Sequence, residues 1–337
     1  MSHATSEAYD EGFDLAEREM MCYVPSDPND RRHCNYLVSR GRLVAPMSGM
    51  FARSGYWEKL SVGERHLHVA RALSKKHPSW VFSHHTAALA YGLYVGYRDI
   101  GAVHRSLASG ASSRTRGIVN HIVGERSSDI VSGLRVTLPE QTVFDCLCST
   151  DFRQGLAIAD SSCRFLGMDP ERLMGILGTF AYPHCHGIRN ARLAAEHADR
   201  RSESGGESIA RAMMIMLGYM IPELQVEIPD PVYESAHYRA DFLWELPNGR
   251  KIVGELDGRE KYINEEMTAG RDLFDIINDE RLRESRIREQ GYSIMRMSFH
   301  EAVRVPTFVR ILENAGIPVV REPWPRSQIE KNAPWYF

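Results

Sequence analysis

Asp241, Glu255 and Asp257 are carboxylates set inside two runs of apolar, β-forming residues, Tyr238–Trp244 and Lys251–Asp257. A buried, unpaired carboxylate is costly, so acids in such runs need a partner. Asp241 and Glu255 each stand seven residues from Asn248, in the connection Pro247-Asn248-Gly249. A three-residue loop centred on Asn248 predicts that the two acids face each other across a hairpin, with Cβ atoms about 4.5–5.5 Å apart. Strand alternation returns Asp257 to the face of Glu255. Like charges that close repel unless one keeps its proton or a cation lies between them. A hard divalent cation with oxygen ligands, Mg²⁺ or Mn²⁺, is the natural filling. A two-residue Asn-Gly turn would put the acids on opposite faces, so this reading requires an odd-length loop or a bulge.

The elements that must position these acids are legible around them. Ser204-Gly205-Gly206-Glu207 opens a helix, Gln225-Val226-Glu227-Ile228 reads as a strand, and a helix over 278–290 leads into Ile294-Met295-Arg296. Glu207 has two uses, as the last member of a Ser204-x-x-Glu207 capping box or as a fourth acid of the site. Asp257, before Gly258, also suits a strand-ending turn, and Lys261 suits neutralising it.

This order of elements resembles the core of the PD-(D/E)XK nuclease superfamily, and more narrowly the small domains related to very-short-patch repair endonucleases. The residues that carry the likeness are Glu207 in Ser-Gly-Gly-Glu-Ser, Arg239 and Asp241 in Arg-Ala-Asp-Phe, and Glu255, Asp257 and Gly258 in Gly-Glu-Leu-Asp-Gly. Lys261-Tyr262 and Gly291-Tyr292 extend it. The lysine of the family motif is replaced by Asp257, with Lys261 placed to supply a cation from the next turn. The resemblance implies metal-assisted phosphodiester hydrolysis. Asp241, Glu255 and the Leu256 carbonyl would hold Mg²⁺ (or Mn²⁺), and Glu207, Asp257 and Lys261 would complete the catalytic set.

The amino-terminal half suggests what would bring DNA to such a site. Residues 1–30 hold one Arg against eight acids, whereas residues 31–130 hold 15 Lys/Arg against 5 Asp/Glu. The net charge of −3 therefore hides a basic segment of the kind phosphate binding requires; a solvated surface would carry the same charges. Asp30 is placed to cap a helix from Arg31 to Ser39, which Gly41 stops. A basic ribbon follows, from Arg42 to Arg53 around Pro46-Met47-Ser48-Gly49. Helix, glycine and ribbon outline a winged helix-turn-helix. Arg31, Arg32, Arg40, Arg42 and Arg53 are the expected DNA contacts.

Residues 15–180 are similar to the AbiEi-type antitoxins of type IV toxin–antitoxin systems. The likeness rests on Leu37-Val38-Ser39-Arg40-Gly41-Arg42-Leu43, on Ser83-His84-His85-Thr86-Ala87-Ala88 with Tyr91-Gly92-Leu93, and on Val136-Thr137 through Thr142-Val143-Phe144-Asp145. It implies a DNA-binding regulator with a cognate toxin as partner. His84 and His85 have no third catalytic partner at a readable spacing and are expected to enter a helix.

At 337 residues the chain exceeds one small core. The expected fold class is multi-domain α/β. Residues 1–80 would form a winged helix-turn-helix with an acidic arm, 81–199 a mixed α/β AbiEi-like middle domain, and 200–337 a restriction-endonuclease-like αβββαβ domain with a C-terminal tail. No apolar run reaches the ~20 residues that span a bilayer, so no membrane partner is expected. The six cysteines lack a CxxC pair, which suits reduced thiols in the cytoplasm. Two functions follow: a Mg²⁺-dependent DNA endonuclease positioned by its winged helix, or a non-catalytic DNA-binding regulator or antitoxin with a degenerate nuclease fold.

Overall fold

The computed structural model describes residues 3–110, 113–115, 117–123, 127–233, 237–257 and 273–329. It is a mixed α/β chain that divides into two compact units, residues 1–151 with 165–196 and residues 152–164 with 197–337. Lys261 and Gly258 lie outside the described residues.

The first unit opens with α1 (His3–Arg18), α2 (Pro28–Ser39), the ribbon β1 (Leu43–Met47) and β2 (Met50–Arg53), α3 (Ser54–Lys59) and α4 (Val62–Lys76). Asp27, not Asp30, caps α2, accepting the Asn29 and Asp30 N–H groups at 2.7 and 3.0 Å. Pro28 explains the shift: at the first helical position its missing N–H is no loss, so the helix starts three residues earlier than expected. Asp30 instead accepts the Tyr23 hydroxyl at 2.6 Å. A small core of Phe13, Cys34, Leu43 and Phe51, flanked by Leu37 and Val38, holds α1 and α2 to the ribbon. The Ser61–Glu64 capping box starts α4, whose Ala70 and Leu73 enter a larger core with Phe82, Leu134 and Val136.

The unit continues with β3 (Val81–Phe82), α5 (His84–Ala90), β4 (Val103–Leu107), β5 (Ser113–Thr115), β6 (Ile118–Ile122), β7 (Ser128–Val131), β8 (Leu134–Thr137) and α6 (Pro139–Ser149). The strands form one sheet in the order β5-β6-β4-β3-β8-β7. After α7 (Phe152–Phe165), which belongs through Arg164 to the second unit, α8 (Pro170–Phe180) and α9 (Ile188–Glu196) complete the first. Gly187, at φ +76°, lets the loop before α9 meet the end of α6: a Cβ there would stand 1.9 Å from the Cys148 carbonyl oxygen.

In the second unit, α7 is followed by α10 (Gly205–Met216), β9 (Glu223–Pro229), β10 (His237–Glu245), β11 (Lys251–Asp257), α11 (Leu273–Glu289), β12 (Tyr292–Ser298), α12 (Phe299–Ala302), α13 (Val305–Ala315) and α14 (Arg326–Ile329). The sheet order is β12-β11-β10-β9. β11 and β12 run parallel, the pairing that a crossover such as α11 makes possible. The β10–β11 hairpin closes on Leu246 and Arg250, whose N–H···O bond measures 2.8 Å. The loop is therefore the three residues Pro247-Asn248-Gly249, with Gly249 at φ +81°. Phe242 pairs with Gly254 and Leu243 with Val253. The paired rungs end at Phe242 and Gly254, one residue short of Asp241 and Glu255.

Candidate functional site

Asp241 and Glu255 each lie one residue beyond the last paired rung of the hairpin, and each has its own partners. Asp241 lies between Ala240 and Phe242, both fully buried. One of its oxygens accepts the Leu256 N–H at 2.9 Å; the other stands 3.4 Å from the Gln225 amide nitrogen. That nitrogen also donates to Glu207 at 3.0 Å. Gln225 thus joins Glu207, from the first turn of α10, to Asp241 on the hairpin. Its backbone sits at φ +52°, a region costly for a residue with a Cβ and often found where function constrains the chain.

Glu207 is buried and serves the helix end and the cluster together. Its carboxylate accepts the Glu203 N–H and the Ser204 hydroxyl, both at 2.9 Å, while its own N–H donates to Ser204 Oγ at 3.1 Å. Burial pushes this carboxyl above its ordinary range and the Asp241 charge adds to the effect, against the Glu203 N–H.

Glu255 is drawn elsewhere. Arg296, its register partner on β12, places a guanidinium nitrogen 2.9 Å from one oxygen, and the Tyr238 hydroxyl donates to the other. Arg296 also pairs with Glu284 of α11 at 2.8 Å, and the Arg283 guanidinium lies 4.9 Å from the Tyr238 ring centre. Asp257 closes β11 opposite Ser298. Arg239 pairs with Glu203.

The expected cation set was Asp241, Glu255 and the Leu256 carbonyl. As arranged, a cation there would share Glu255 with Arg296 and Tyr238, each of which meets one of its oxygens. Among the described residues no three His, Cys, Asp or Glu side chains form a group able to hold a metal.

In the first unit, α2 turns a polar stripe to solvent. Arg32, Asn35, Tyr36 and Ser39 recur at helical spacing and are exposed, with Arg31, Arg40 and Arg42 beside them. Arg31 donates to Ser48 Oγ at 3.2 Å across the ribbon turn. Arg53 is committed to α1, with Asp10 at 3.1 Å, Asp14 at 2.5 Å and Glu17 at 3.4 Å. Its expected role at a phosphate thus competes with three carboxylates.

A histidine cluster in the same unit escaped the sequence reading. The His84 ring stacks on His121 with centres 3.5 Å apart, and His104 Nδ1 meets His121 Nε2 at 2.9 Å. His84 Nδ1 lies 3.7 Å from Asp145, at a backbone φ of +49°. His85 packs edge-on to His104 and has both ring nitrogens buried without a hydrogen-bond partner. Burial lowers His85 to about 3 and His66 to about 4, and lowers His121 as well. His84 and His85 share α5, but His66, His104, His121 and Asp145 come from four other elements, so spacing along the chain carries no trace of their meeting.

Compared with protein-family models, curated proteins and solved structures, the chain matches none.

Proposed function

We propose that this chain is a DNA-binding protein of the regulator or antitoxin kind, meeting the duplex through α2 and the β1–β2 ribbon. The observation that carries this reading is the exposed stripe Arg32, Asn35, Tyr36 and Ser39 on a helix whose opposite side is anchored by buried Cys34. A helix fits the major groove, where arginine pairs with guanine and asparagine with adenine. Arg31, Arg40 and Arg42 flank the stripe as phosphate contacts, which fix register without reading sequence. A cognate toxin is the protein partner that the antitoxin form of this reading requires.

Fluorescence anisotropy with duplex DNA tests it. Affinity should fall steeply with salt, since released counterions drive such binding. Arg40→Ala with Arg42→Ala should reduce the salt slope, and Arg32→Ala with Asn35→Ala should abolish sequence preference. Absence of binding, or salt-independent binding, would end the proposal.

A second reading, a Mg²⁺-dependent DNA endonuclease, is favoured by the meeting of Glu207, Gln225 and Asp241 in a unit that runs α10-β9-β10-β11-α11-β12. Supercoiled plasmid with Mg²⁺ or Mn²⁺ tests it beside Glu207→Gln and Asp241→Asn. Nicking that is absent, or equal in all three proteins, rules it out.

A further inference from the structure

Two thiols of the first unit lie side by side. Cys148 is next to last in α6, and Cys185 stands in the loop that precedes α9. Cys185 Sγ is 3.9 Å from Cys148 Sγ, and neither sulfur is in a disulfide. The main chain holds the two segments together independently of the sulfurs. At Gly187, two residues past Cys185, an added Cβ would fall 1.9 Å from the Cys148 carbonyl oxygen and 3.0 Å from its Cα. Such an approach leaves room for glycine alone.

A disulfide requires sulfurs about 2.05 Å apart with Cβ atoms about 3.5–4.5 Å apart. The 3.9 Å thiol contact must close to that length for the bond to form. Access is uneven, since Cys148 is partly buried while Cys185 is buried. Cys146, its neighbour in α6, is fully buried.

We propose that Cys148 and Cys185 form a modification site, a dithiol that closes to a disulfide by exchange with a small disulfide of the glutathione type. Cys148 loses its proton to solvent and its thiolate attacks one sulfur of the small disulfide, expelling one small thiolate. The Cys185 thiolate then attacks Cys148 Sγ and expels the second. Two protein thiols are oxidised, one small disulfide is reduced to two thiols, and two protons pass to solvent. The second step is intramolecular between neighbouring sulfurs, so the mixed disulfide should not accumulate. Burial raises the Cys148 thiol to about 12, with Cys185 adding to the rise. Exchange is therefore slow at neutral pH and faster as pH rises.

The test is to incubate the full chain with oxidised glutathione at pH 8.5, block remaining thiols, and record intact mass and a peptide map. The expected product is monomeric, has lost two hydrogens and two of its six thiols, contains a peptide joined through Cys148 and Cys185, and reverts with dithiothreitol. Cys185→Ser should instead retain a glutathione adduct on Cys148. The unaltered chain tests the pairing whether or not that variant folds. Six intact thiols, a different pair, a persistent adduct on the unaltered chain, or one equivalent of zinc retained on the two sulfurs would each overturn the proposal.

Discussion

Arg211 of α10 places one guanidinium nitrogen 2.7 and 2.8 Å from the two carboxylate oxygens of Asp160 in α7, and both side chains are out of water. Asp160 also accepts the Asp199 N–H at 2.8 Å, and Arg211 donates to the His197 carbonyl at 2.7 Å. Removing one partner strands a buried charge at a cost of about 3–5 kcal/mol, whereas replacing both with apolar groups is often near neutral. Urea unfolding should show Arg211→Met strongly destabilised and Arg211→Met with Asp160→Leu closer to the parent. Equal losses in both would refute this account of the pair.

Stability should fall on acidification below pH 6.5. His66 and His85 are held near 4 and 3 in the folded unit, so between those values and 6.5 the unfolded chain binds protons the folded chain refuses. Each contributes a loss of about 2 kcal/mol by pH 5. Thermal melts from pH 7.5 to 5 should show the decline, and His85→Leu should remove its share. An unchanged pH profile in that variant would exclude His85 as a source.

Arg53 offers a test of the proposed DNA surface. Its three carboxylate partners on α1 oppose any phosphate that approaches it. Asp10→Asn, Asp14→Asn and Glu17→Gln together should raise DNA affinity severalfold at low salt, and the gain should shrink as salt screens the charges. Anisotropy titrations at two ionic strengths measure it, and unaltered affinity would place Arg53 away from the DNA.

Gly187→Ala should cost several kcal/mol, because its Cβ would overlap the Cys148 carbonyl and φ +76° disfavours an L side chain. Gly175→Ala on α8, where an added Cβ meets nothing within 4 Å, should be neutral or stabilising by about 0.5–1 kcal/mol. Melting temperatures of the two variants decide the matter.

The hairpin was legible because its signals are local, two β-forming runs on either side of Pro247-Asn248-Gly249; the length of its loop was not, since the Asn-Gly pair also suits a two-residue turn and only the bond between Leu246 and Arg250 fixes it at three. The helix after Ser204 declared itself through its capping residues, although Pro28 moved the start of α2 beyond what Asp30 suggested. The partners of Glu255 were not legible, since Arg296 reaches it only through a parallel register across a crossover. Gln225 gave no warning of its left-handed backbone. The histidine cluster was hidden for the same reason as Arg296, being assembled by sheet order.

Because residues 152–164 and 197–337 together form the second unit, this chain is not a string of detachable beads. An expression fragment starting near residue 200 would contain Arg211 but not α7, and so would lack the carboxylate that its guanidinium grips. Transplanting the carboxy-terminal segment into another host protein, whether by gene fusion or in the laboratory, would require carrying a helix encoded some forty residues upstream.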